Sequence, residues 1–402
     1  MCGGDGSGAL LERPRTLKVC DLTQFYSPRS GGVKRYVHEK IDFVQQHRPA
    51  DEHILIIPGP RNEIVANERS RTYAIRSPLV SRSAQYRALL DLRRVDEIIE
   101  RERPDIVETS DPYQLGWAAI NVRRRHGIPV VAFYHSHFPE AYLRWPGRTF
   151  GRAVDRAVMT AARSYVRHLY NQFDATLVAS AGLAELLRKW NVRNVRRAEL
   201  GVNTKVFTPG GDMMQTRDSL GIPRDTFLLL YVGRLIAEKN TSLLAEAFSG
   251  LAERYGHLHL LVVGDGQERK RIEALQRETK RVTWLSYAAD PAQLAAFYRA
   301  ADLFVHPSVE ETFGLVALES QACGTPVVGI RGSLMDEVIL HDQTDWATEA
   351  TAAGLTRAIE RMAARRDLRA LGAAAARAVA ERYSWTAVFE RIFSVYDDVV
   401  RL

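Results

Sequence analysis

Residues 303–330 read LFVHPSVEETFGLVALESQACGTPVVGI and contain one complete strand–helix–strand unit. The apolar runs Leu303–His306 and Pro326–Ile330 have the length of buried strands, and Gly324 is placed to end the helix between them. Two parallel strands joined through a helix are the building block of a parallel sheet. The stretch therefore predicts an α/β fold, with chemistry expected at the turn that follows the first strand.

The same alternation runs along the rest of the chain. Further strands are predicted over Lys18–Leu22, His53–Ile57, Asp105–Thr109, Pro129–His135, Ala175–Ala179, Phe227–Val232, His259–Val263 and Val282–Leu285. Helices are predicted over 33–47, 84–102, 113–126, 148–171, 181–190, 240–254, 267–279, 291–300, 314–323 and 352–382. This pattern indicates two doubly wound α/β domains that could face each other across a cleft.

A Gly-, Pro- and Asn-containing segment, GVNTKVFTPGGD, interrupts the alternation at residues 201–212 and is typical of a linker. We therefore expect a flexible tail over 1–16, a first domain over 17–200 and a linker over 201–214. A second domain over 215–383 and an amphipathic terminal helix over 384–402 complete the predicted organisation.

Length and composition exclude several classes of protein. The chain has 402 residues, 46% apolar and 26% charged, which is ordinary for two globular domains and not for a fibre or a disordered chain. Nothing approaches the roughly 20 apolar residues of a membrane span, and the Gly-rich start does not resemble a secretory signal. Three widely spaced cysteines form no disulfide or zinc pattern, so we expect a cytoplasmic protein.

The net charge of +7 is unevenly distributed. Residues 1–200 hold 32 Lys and Arg against 22 Asp and Glu, whereas the second half holds 23 against 26. The basic first half could meet an anionic partner, or its charges could simply be solvated.

The segment EETFGLVALESQACG, residues 310–324, carries the strongest chemical signal. Its turn through Phe313 and Gly314 would leave the N–H groups of Gly314 and Leu315 unpaired at a helix N-terminus, which suits a phosphate. Glu311 and Glu319 could each accept two hydroxyl groups of a sugar or ribose. Alternatively, Glu311 only favours the helix start and Glu319 is a surface residue.

Two loops after other strands carry cations and glycines. In YVGRLIAEKN, residues 231–240, Arg234 and Lys239 could hold a diphosphate and stabilise it as a leaving group. In VVGDG, residues 262–266, Gly264 and Gly266 would let a ligand approach the backbone, although a plain tight turn explains them equally well. This turn lacks the third glycine of a dinucleotide fingerprint, so we do not infer an NAD site.

Two features of the first half also follow strands. Gly31 and Gly32 in SGGVKRYV would open the first helix toward a ligand, and His135 in FYHSHFP ends a buried strand. A metal site at His135 and His137 would need further ligands, and none is suitably spaced. No Asp-x-Asp pair is present either, so we expect no metal and no cofactor.

In their order along the chain, these motifs resemble the retaining glycosyltransferases of family 4, which have the GT-B fold of two Rossmann-like domains facing across a cleft. The resemblance covers nearly the whole chain. It comprises a GGV turn, a strand-end histidine, a GVxTxxFxP linker, a GR…K loop, a GDG turn, an E-x7-E element and a terminal helix. In this sequence they are Gly31–Val33, His135, Gly201–Pro209, Arg234…Lys239, Gly264–Gly266, Glu311…Glu319 and Ser384–Leu402.

The resemblance implies the transfer of a mannose- or glucose-type hexose from a UDP-, GDP- or ADP-sugar to a hydroxyl acceptor, with retention and without a metal. Arg234, Lys239 and the turn at Phe313, Gly314 and Leu315 would then bind the donor diphosphate. Glu319 would bind the ribose and Glu311 the transferred sugar. His135 would contact the sugar near the reacting carbon, while Gly31 and Gly32 would cover the phosphates. The terminal helix would cross back to the first domain.

The acceptor is less well indicated. Arginines recur through the predicted helix 148–171, at Arg148, Arg152, Arg156, Arg163 and Arg167. This basic stripe could contact anionic lipid at the inner membrane face or a phosphate-bearing acceptor, or it could be a solvated helix face. We expect no nucleic-acid partner.

Two other functions remain open from the sequence. An epimerase or phosphorylase could use the same architecture, although no lysine is marked out as a pyridoxal carrier. A non-catalytic sugar-nucleotide-binding protein is the other alternative, and the intact charged set Arg234, Lys239, Glu311 and Glu319 argues against it.

Overall fold

The computed structural model describes residues 16–27, 32–80, 85–135, 152–286, 290–311, 313–333 and 335–401. Two sheets organise these residues, one of eight strands and one of five. The α/β class predicted from the alternating pattern is therefore confirmed. Across the described residues, no helix combines the length and apolar character needed to cross a membrane.

The eight-stranded sheet has the order β3-β4-β2-β1-β5-β6-β7-β8. Its strands are β1 Lys18–Leu22, β2 Glu52–Gly59, β3 Glu63–Ala66, β4 Ser70–Arg76, β5 Ile106–Thr109, β6 Val130–Tyr134, β7 Ala175–Val178 and β8 Val195–Arg197. Strands β4, β2, β1, β5 and β6 pair in parallel, whereas β3 pairs antiparallel with β4. Register is set by pairs such as Cys20 with Ile54 and with Val107. Helices connecting these strands are α1 Gly32–His47, α2 Leu92–Glu102, α3 Gln114–His126, α4 Arg152–Tyr170 and α5 Ala181–Lys189.

The five-stranded sheet is parallel throughout, with the order β11-β10-β9-β12-β13. Its strands are β9 Phe227–Val232, β10 Leu258–Val263, β11 Val282–Leu285, β12 Leu303–His306 and β13 Val327–Gly329. The helices are α6 Met213–Ser219, α7 Thr241–Arg254, α8 Arg269–Thr279, α9 Pro291–Ala300, α10 Leu315–Ala322, α11 Ala352–Ala363, α12 Leu368–Tyr383 and α13 Trp385–Arg401.

Several predicted elements differ from the structure. The helix predicted over 84–102 begins only at Leu92, where the Asp91 side chain caps it, and Gln85 before it has a φ of 55°. The helix predicted over 352–382 is two helices, separated between Ala363 and Leu368. Strands β3, β4 and β8 were not predicted, and neither was α6, which begins inside the predicted linker.

The predicted linker is packed at its start. The Val202 backbone N–H donates to the carbonyl of Tyr383, and a β-bridge joins Val202 to Ser384. A Cβ atom on Gly201 would lie 2.6 Å from the Trp385 ring, so only glycine lets the ring approach this closely. The segment therefore holds the first turn of α13 in place.

The described chain divides into two compact units. One contains the residues up to Phe133, His168–Thr176 and those from Tyr396 onward, and the other contains Tyr134–Arg167 and Leu177–Val395.

The core of the first unit contains a fully buried ammonium group. Lys40 Nζ lies 2.9 Å from Asp21 Oδ1, 3.0 Å from Glu108 Oε1 and 2.9 Å from the Tyr396 hydroxyl. His53 Nε2 lies 2.6 Å from the second oxygen of Asp21. Burial opposes ionisation of Asp21, but Lys40 and His53 hold its pKa well below the usual range. We call Lys40, Asp21, Glu108, His53 and Tyr396 the buried polar cluster.

Candidate active site in the second unit

Three neighbouring strands of the second sheet end at the same edge. The loops that follow β10, β9 and β12 begin at Gly264, Gly233 and Pro307, and these strands are adjacent in the order β10-β9-β12. Parallel strands present their carboxyl ends together, so the three loops meet where ligands bind in such sheets. The motifs around Arg234, Gly264 and Glu311 therefore lie at one edge.

Lys239 and Glu311 form the centre of this edge. A short 3-10 turn, Ala237–Lys239, presents the lysine, whose ammonium donates to Glu311 Oε2. Each side chain keeps 19% of its surface exposed, so the pair is sheltered but within reach of a ligand. The two residues are 72 positions apart in the sequence, but they come into contact because the strands that precede them, β9 and β12, are paired.

His306 is a third member of this group. It is the last residue of β12, it is 4% exposed, and its Nε2 lies 3.7 Å from Glu311 Oε2. Burial alone would raise the pKa of Glu311, but the neighbouring His306 and Lys239 outweigh it and lower the pKa to about 2. Glu311 is therefore an anion at neutral pH, with carboxylate oxygens that can accept hydrogen bonds but cannot donate them.

His306 was not predicted from the sequence. The strand-end position that singles out His135 applies equally to His306, which ends the predicted strand Leu303–His306. The same signal could therefore have identified it.

Arg234 stands at the start of the same loop with its side chain exposed. Its backbone carbonyl accepts a hydrogen bond from the Tyr231 hydroxyl at 2.9 Å, which fixes the loop immediately after β9. No hydrogen bond or ion pair holds the guanidinium to another described residue. Its five N–H donors are thus available for an anion.

Gly264 and Gly266 are explained by the approach of two loops. A Cβ atom on Gly264 would lie 1.9 Å from the carbonyl oxygen of Gly233, and one on Gly266 would lie 2.3 Å from that of Leu235. The Leu235 N–H donates to the carbonyl of Asp265 at 2.9 Å. These glycines therefore lock the Arg234 loop against the turn after β10, and their predicted contact with substrate stays a prediction.

Gly314 begins α10 with a φ of 84°, in the left-handed region that favours glycine. A Cβ atom there would lie 2.8 Å from Met335 Sδ. The first N–H groups of a helix have no partner within it, so those of Leu315 and the next residue offer partial positive charge beside Glu311. Thr312, the residue before this turn, lies outside the described residues.

Phe313 and Glu319, two predicted substrate contacts, are both 3% exposed. The Phe313 ring packs edge-on against Tyr383 with centroids 6.1 Å apart, so only its backbone is placed to meet a ligand. Glu319 lies one turn into α10 and accepts a hydrogen bond from the Tyr298 hydroxyl at 3.2 Å. The structure places it on the same helix as Gly314 and Leu315, as the sequence predicts.

The remaining predicted residues belong to the part of the chain that forms the eight-stranded sheet, and only some of them are described. His135 directly follows β6 and is half-buried. Gly32 is the first residue of α1, and a Cβ atom there would meet nothing within 4 Å. Gly31 lies outside the described residues, as does Arg148 of the basic helix. The helix itself is described from Arg152, with Arg156, Arg163 and Arg167 exposed.

No group of three or more His, Cys, Asp or Glu side chains suited to a metal ion occurs within the described ranges. Metal independence stays a prediction.

Two family models match the chain. The model described as Glycosyltransferase Family 4 matches residues 30–206, and the model described as Glycosyl transferases group 1 matches residues 212–379. Together they cover every described strand except β1.

Among curated relatives, the chain is similar to the GDP-mannose-dependent alpha-(1-6)-phosphatidylinositol dimannoside mannosyltransferase of Mycobacterium tuberculosis. The two are 30% identical over an alignment of 337 positions, which covers 81% of this chain and 82% of the relative. A GDP-mannose-dependent alpha-mannosyltransferase of Corynebacterium glutamicum is 27% identical, with 80% of this chain and 74% of the relative covered.

Among solved structures, sucrose-phosphate synthase from Thermosynechococcus elongatus superposes with a TM-score of 0.76 at 22% identity. The match covers 96% of this chain and 99% of that one. At this identity the similarity establishes the fold alone, and that fold is GT-B.

Proposed function

Because the chain belongs to family 4 of the glycosyltransferases and is a hexosyltransferase, we propose that it transfers mannose from GDP-mannose to a hydroxyl acceptor with retention of configuration. The observation that carries this proposal is the joining of Lys239 to Glu311 beside the exposed Arg234 at one strand edge. Cations and a hydroxyl-binding carboxylate in contact fit a ligand that has both a diphosphate and a sugar.

The charge balance at this edge suits a departing diphosphate. Lys239 has three N–H donors and one described partner, Glu311, so two donors remain for phosphate oxygens. Arg234 adds a planar guanidinium, and the first turn of α10 adds backbone N–H groups. We propose that the diphosphate is stabilised without a divalent metal, by two cationic side chains and the backbone N–H groups that this edge holds in place for it.

Glu311 is proposed to hold the transferred sugar. Its depressed pKa keeps it ionised, so it accepts hydrogen bonds from sugar hydroxyls instead of donating a proton to the leaving group. Glu319, further along α10, is proposed to bind the ribose hydroxyls of the nucleotide. His135 and the turn at Gly31 and Gly32 keep their proposed roles near the reacting carbon and the phosphates.

The proposed reaction requires one bond to break and one to form at the anomeric carbon. The bond from that carbon to the diphosphate oxygen breaks, and the bond to the acceptor oxygen forms on the same face. The acceptor hydroxyl proton passes to the departing phosphate oxygen. This accounts for the chain's lack of a marked general base among the motif residues.

GDP-mannose is favoured over UDP- and ADP-sugars because both mannosyltransferase relatives are named as GDP-mannose-dependent. One of them acts on a phosphatidylinositol dimannoside, so a lipid-linked glycan is the acceptor class that we propose. The exposed arginines of α4 would then lie at a lipid surface.

The direct test is release of GDP, UDP or ADP from a panel of hexose nucleotides by the purified chain, with a mannoside acceptor and with EDTA. We expect turnover with GDP-mannose, an α-linked product by NMR, and no effect of EDTA. The Lys239→Ala variant should lower kcat/KM by about 100–1,000-fold. Lys270→Ala, which changes an exposed lysine in the same unit, should leave turnover unchanged. Turnover with a different nucleotide would overturn the donor assignment, and an inverted product would overturn retention.

A further inference from the structure

A second cavity lies in the same unit at the opposite edge of the five-stranded sheet. Its volume is about 480 Å³. Phe227, the first residue of β9, lines it together with Asp302 and Pro326, which precede β12 and β13. The cavity therefore lies at the amino ends of strands whose carboxyl ends carry the donor site.

The wall of this cavity is rich in arginine. Four guanidinium side chains line it, those of Arg299, Arg365, Arg366 and Arg369, against the single carboxylate of Asp302. Three of the four arginines, all except Arg365, form no ion pair within the described ranges.

The single acidic group is neutralised from outside the cavity. Asp302 Oδ2 lies 2.7 Å from Arg217 Nη2 and accepts the Leu228 N–H at 2.7 Å. Arg365, by contrast, is occupied by Asp342, Asp345 and Asp367 at 2.9–3.0 Å. The uncompensated positive charge is thus that of Arg299, Arg366 and Arg369.

Arg299 is positioned by the backbone. Its Nη1 atom lies 3.4 Å from the carbonyl oxygen of Val206 and 3.3 Å from that of Thr208. It is half-buried, whereas Arg366 and Arg369 are exposed around the start of α12. One guanidinium held by backbone carbonyls and two exposed arginines line this cavity. Its volume is that of a ligand site, since small-molecule sites span about 300–1,000 Å³.

We propose that this cavity is a second anion site, distinct from the donor site, that binds a phosphate-bearing ligand. Guanidinium groups form paired hydrogen bonds with phosphate oxygens, and the three arginines that line this cavity without an ion pair to a described residue supply the positive charge that a phosphate ester requires. The six residues of β9 rise roughly 3.3 Å each, so about 17–20 Å separate the cavity from the Arg234 loop. One phosphate group cannot occupy both sites.

The test must separate the cavity from the donor site, because inorganic phosphate would bind at both. We therefore place all variants on a Lys239→Ala background and measure thermal unfolding in phosphate and in chloride at matched ionic strength. We expect 20 mM phosphate to raise the Tm by about 2–4 °C in the background variant, because a ligand of the folded state stabilises it. Adding Arg366→Ala and Arg369→Ala should reduce this rise to below about 1 °C.

A matched control removes two exposed arginines elsewhere in the unit, Arg277 and Arg357. That control should retain the full phosphate-dependent rise. An equal rise with and without Arg366 and Arg369, or no rise in the Lys239→Ala background, would overturn the proposal. Neither result bears on the donor assignment, which is tested by turnover.

A second arm distinguishes a soluble phosphate ester from a phospholipid headgroup. Vesicles of phosphatidylglycerol and phosphatidylcholine are sedimented with the wild-type chain and with Arg366→Ala/Arg369→Ala. Loss of sedimentation in the variant supports the site with a lipid source. Equal sedimentation, together with a lost phosphate response, supports the site with a soluble source.

Discussion

Two lysine–carboxylate groups in this chain look alike in chemistry and differ in what their surroundings permit. In the buried polar cluster, Lys40 directs all three of its N–H donors to Asp21, Glu108 and Tyr396, and its side chain is 0% exposed. In the proposed donor site, Lys239 has Glu311 as its described partner and keeps 19% of its surface exposed.

The difference in exposure and in remaining N–H donors distinguishes a structural ion pair from one that is available to a ligand. Lys40 has no donor left for a ligand, so its charge can only hold the core together. Lys239 has donors to spare and lies where strand ends open to a ligand. The ion pair itself does not distinguish the two lysines. We therefore propose Lys239 as the ligand-binding one because it has unused hydrogen-bond donors at an accessible edge.

We expect the largest effect on stability when the buried cation is removed. Lys40→Met should leave Asp21 and Glu108 without their ammonium partner and destabilise the fold by about 3–5 kcal/mol. We expect loss of soluble protein or a strongly lowered urea midpoint, measured by circular dichroism. Wild-type stability in this variant would show that the cluster does not hold the core.

Removing the lysine of the proposed donor site should leave the stability of the fold nearly unchanged and strongly reduce the activity. Lys239→Ala should lower kcat/KM by about 100–1,000-fold, the usual effect of losing one preorganised donor to a developing charge. The Tm should stay within about 2 °C of wild type, because both partners are partly solvated. A large loss of Tm in this variant would place Lys239 with Lys40 as a structural residue.

The carboxyl groups of Asp111, in the first unit, and Glu311, in the proposed donor site, should differ in their effect on the pH dependence of stability. Asp111 is 2% exposed, its Oδ1 accepts the Tyr113 N–H at 2.5 Å, and its Oδ2 has no partner among the described residues. Burial raises its pKa to about 7. Between about pH 4 and pH 7 the folded chain therefore keeps a proton that the unfolded chain has lost.

Because the folded chain binds this extra proton, the free energy of unfolding should fall as the pH rises through that range, by up to about 1.4 kcal/mol per pH unit. Asp111→Asn should make that slope less steep in urea titrations from pH 4.5 to 7.5; the slope that remains includes Glu108, whose pKa burial also raises to about 7. Glu311, with its pKa lowered to about 2, contributes stability above about pH 4.5 that is lost only as the pH falls toward 2. Glu311→Gln should thus leave the slope between pH 5 and 7.5 unchanged; an unchanged slope in Asp111→Asn would contradict the prediction.

The smallest expected effect concerns Tyr396, the member of the buried polar cluster that lies 356 residues from Lys40 along the chain. Tyr396→Phe removes a hydroxyl that donates to Glu108 and lies 2.9 Å from Lys40 Nζ. The loss should be about 1–2 kcal/mol, since the ammonium keeps its two carboxylates. Turnover with the donor should stay near wild type in this variant, and a drop comparable with that of Lys239→Ala would break the separation between the two groups.

The fold class and the second sheet could be predicted closely from the sequence. Phe227–Val232, Val282–Leu285 and Leu303–His306 coincide with observed strands, because a buried parallel strand is a continuous apolar run bounded by polar turns. The exposed edge strand Glu63–Ala66 lacks that signature, since all four residues face solvent. The helix start at Leu92 was misplaced although Asp91 carries an ordinary capping signal.

The individual residues of the candidate site could be predicted from the sequence, but their contacts with one another could not. Arg234, Lys239 and Glu311 stand out because they follow strands, but their contact depends on the pairing of β9 with β12. The buried polar cluster could not be predicted, because Lys40 reads as one more charge in an amphipathic helix. Its partner Tyr396 lies 356 residues away, and no local pattern joins them.

That distance along the chain sets an order of events during synthesis. The Tyr396 hydroxyl leaves the ribosome 356 residues after Lys40, a delay of about 20–70 s at ordinary elongation rates of about 5–20 residues per second. In the later part of that interval the strands of the first unit and the partners Asp21 and Glu108 have been made, but the residue that completes the cluster has not. The last turns of α13 are therefore a closing step of folding, and a nascent chain stalled before Tyr396 should remain sensitive to protease in the unit that was made first.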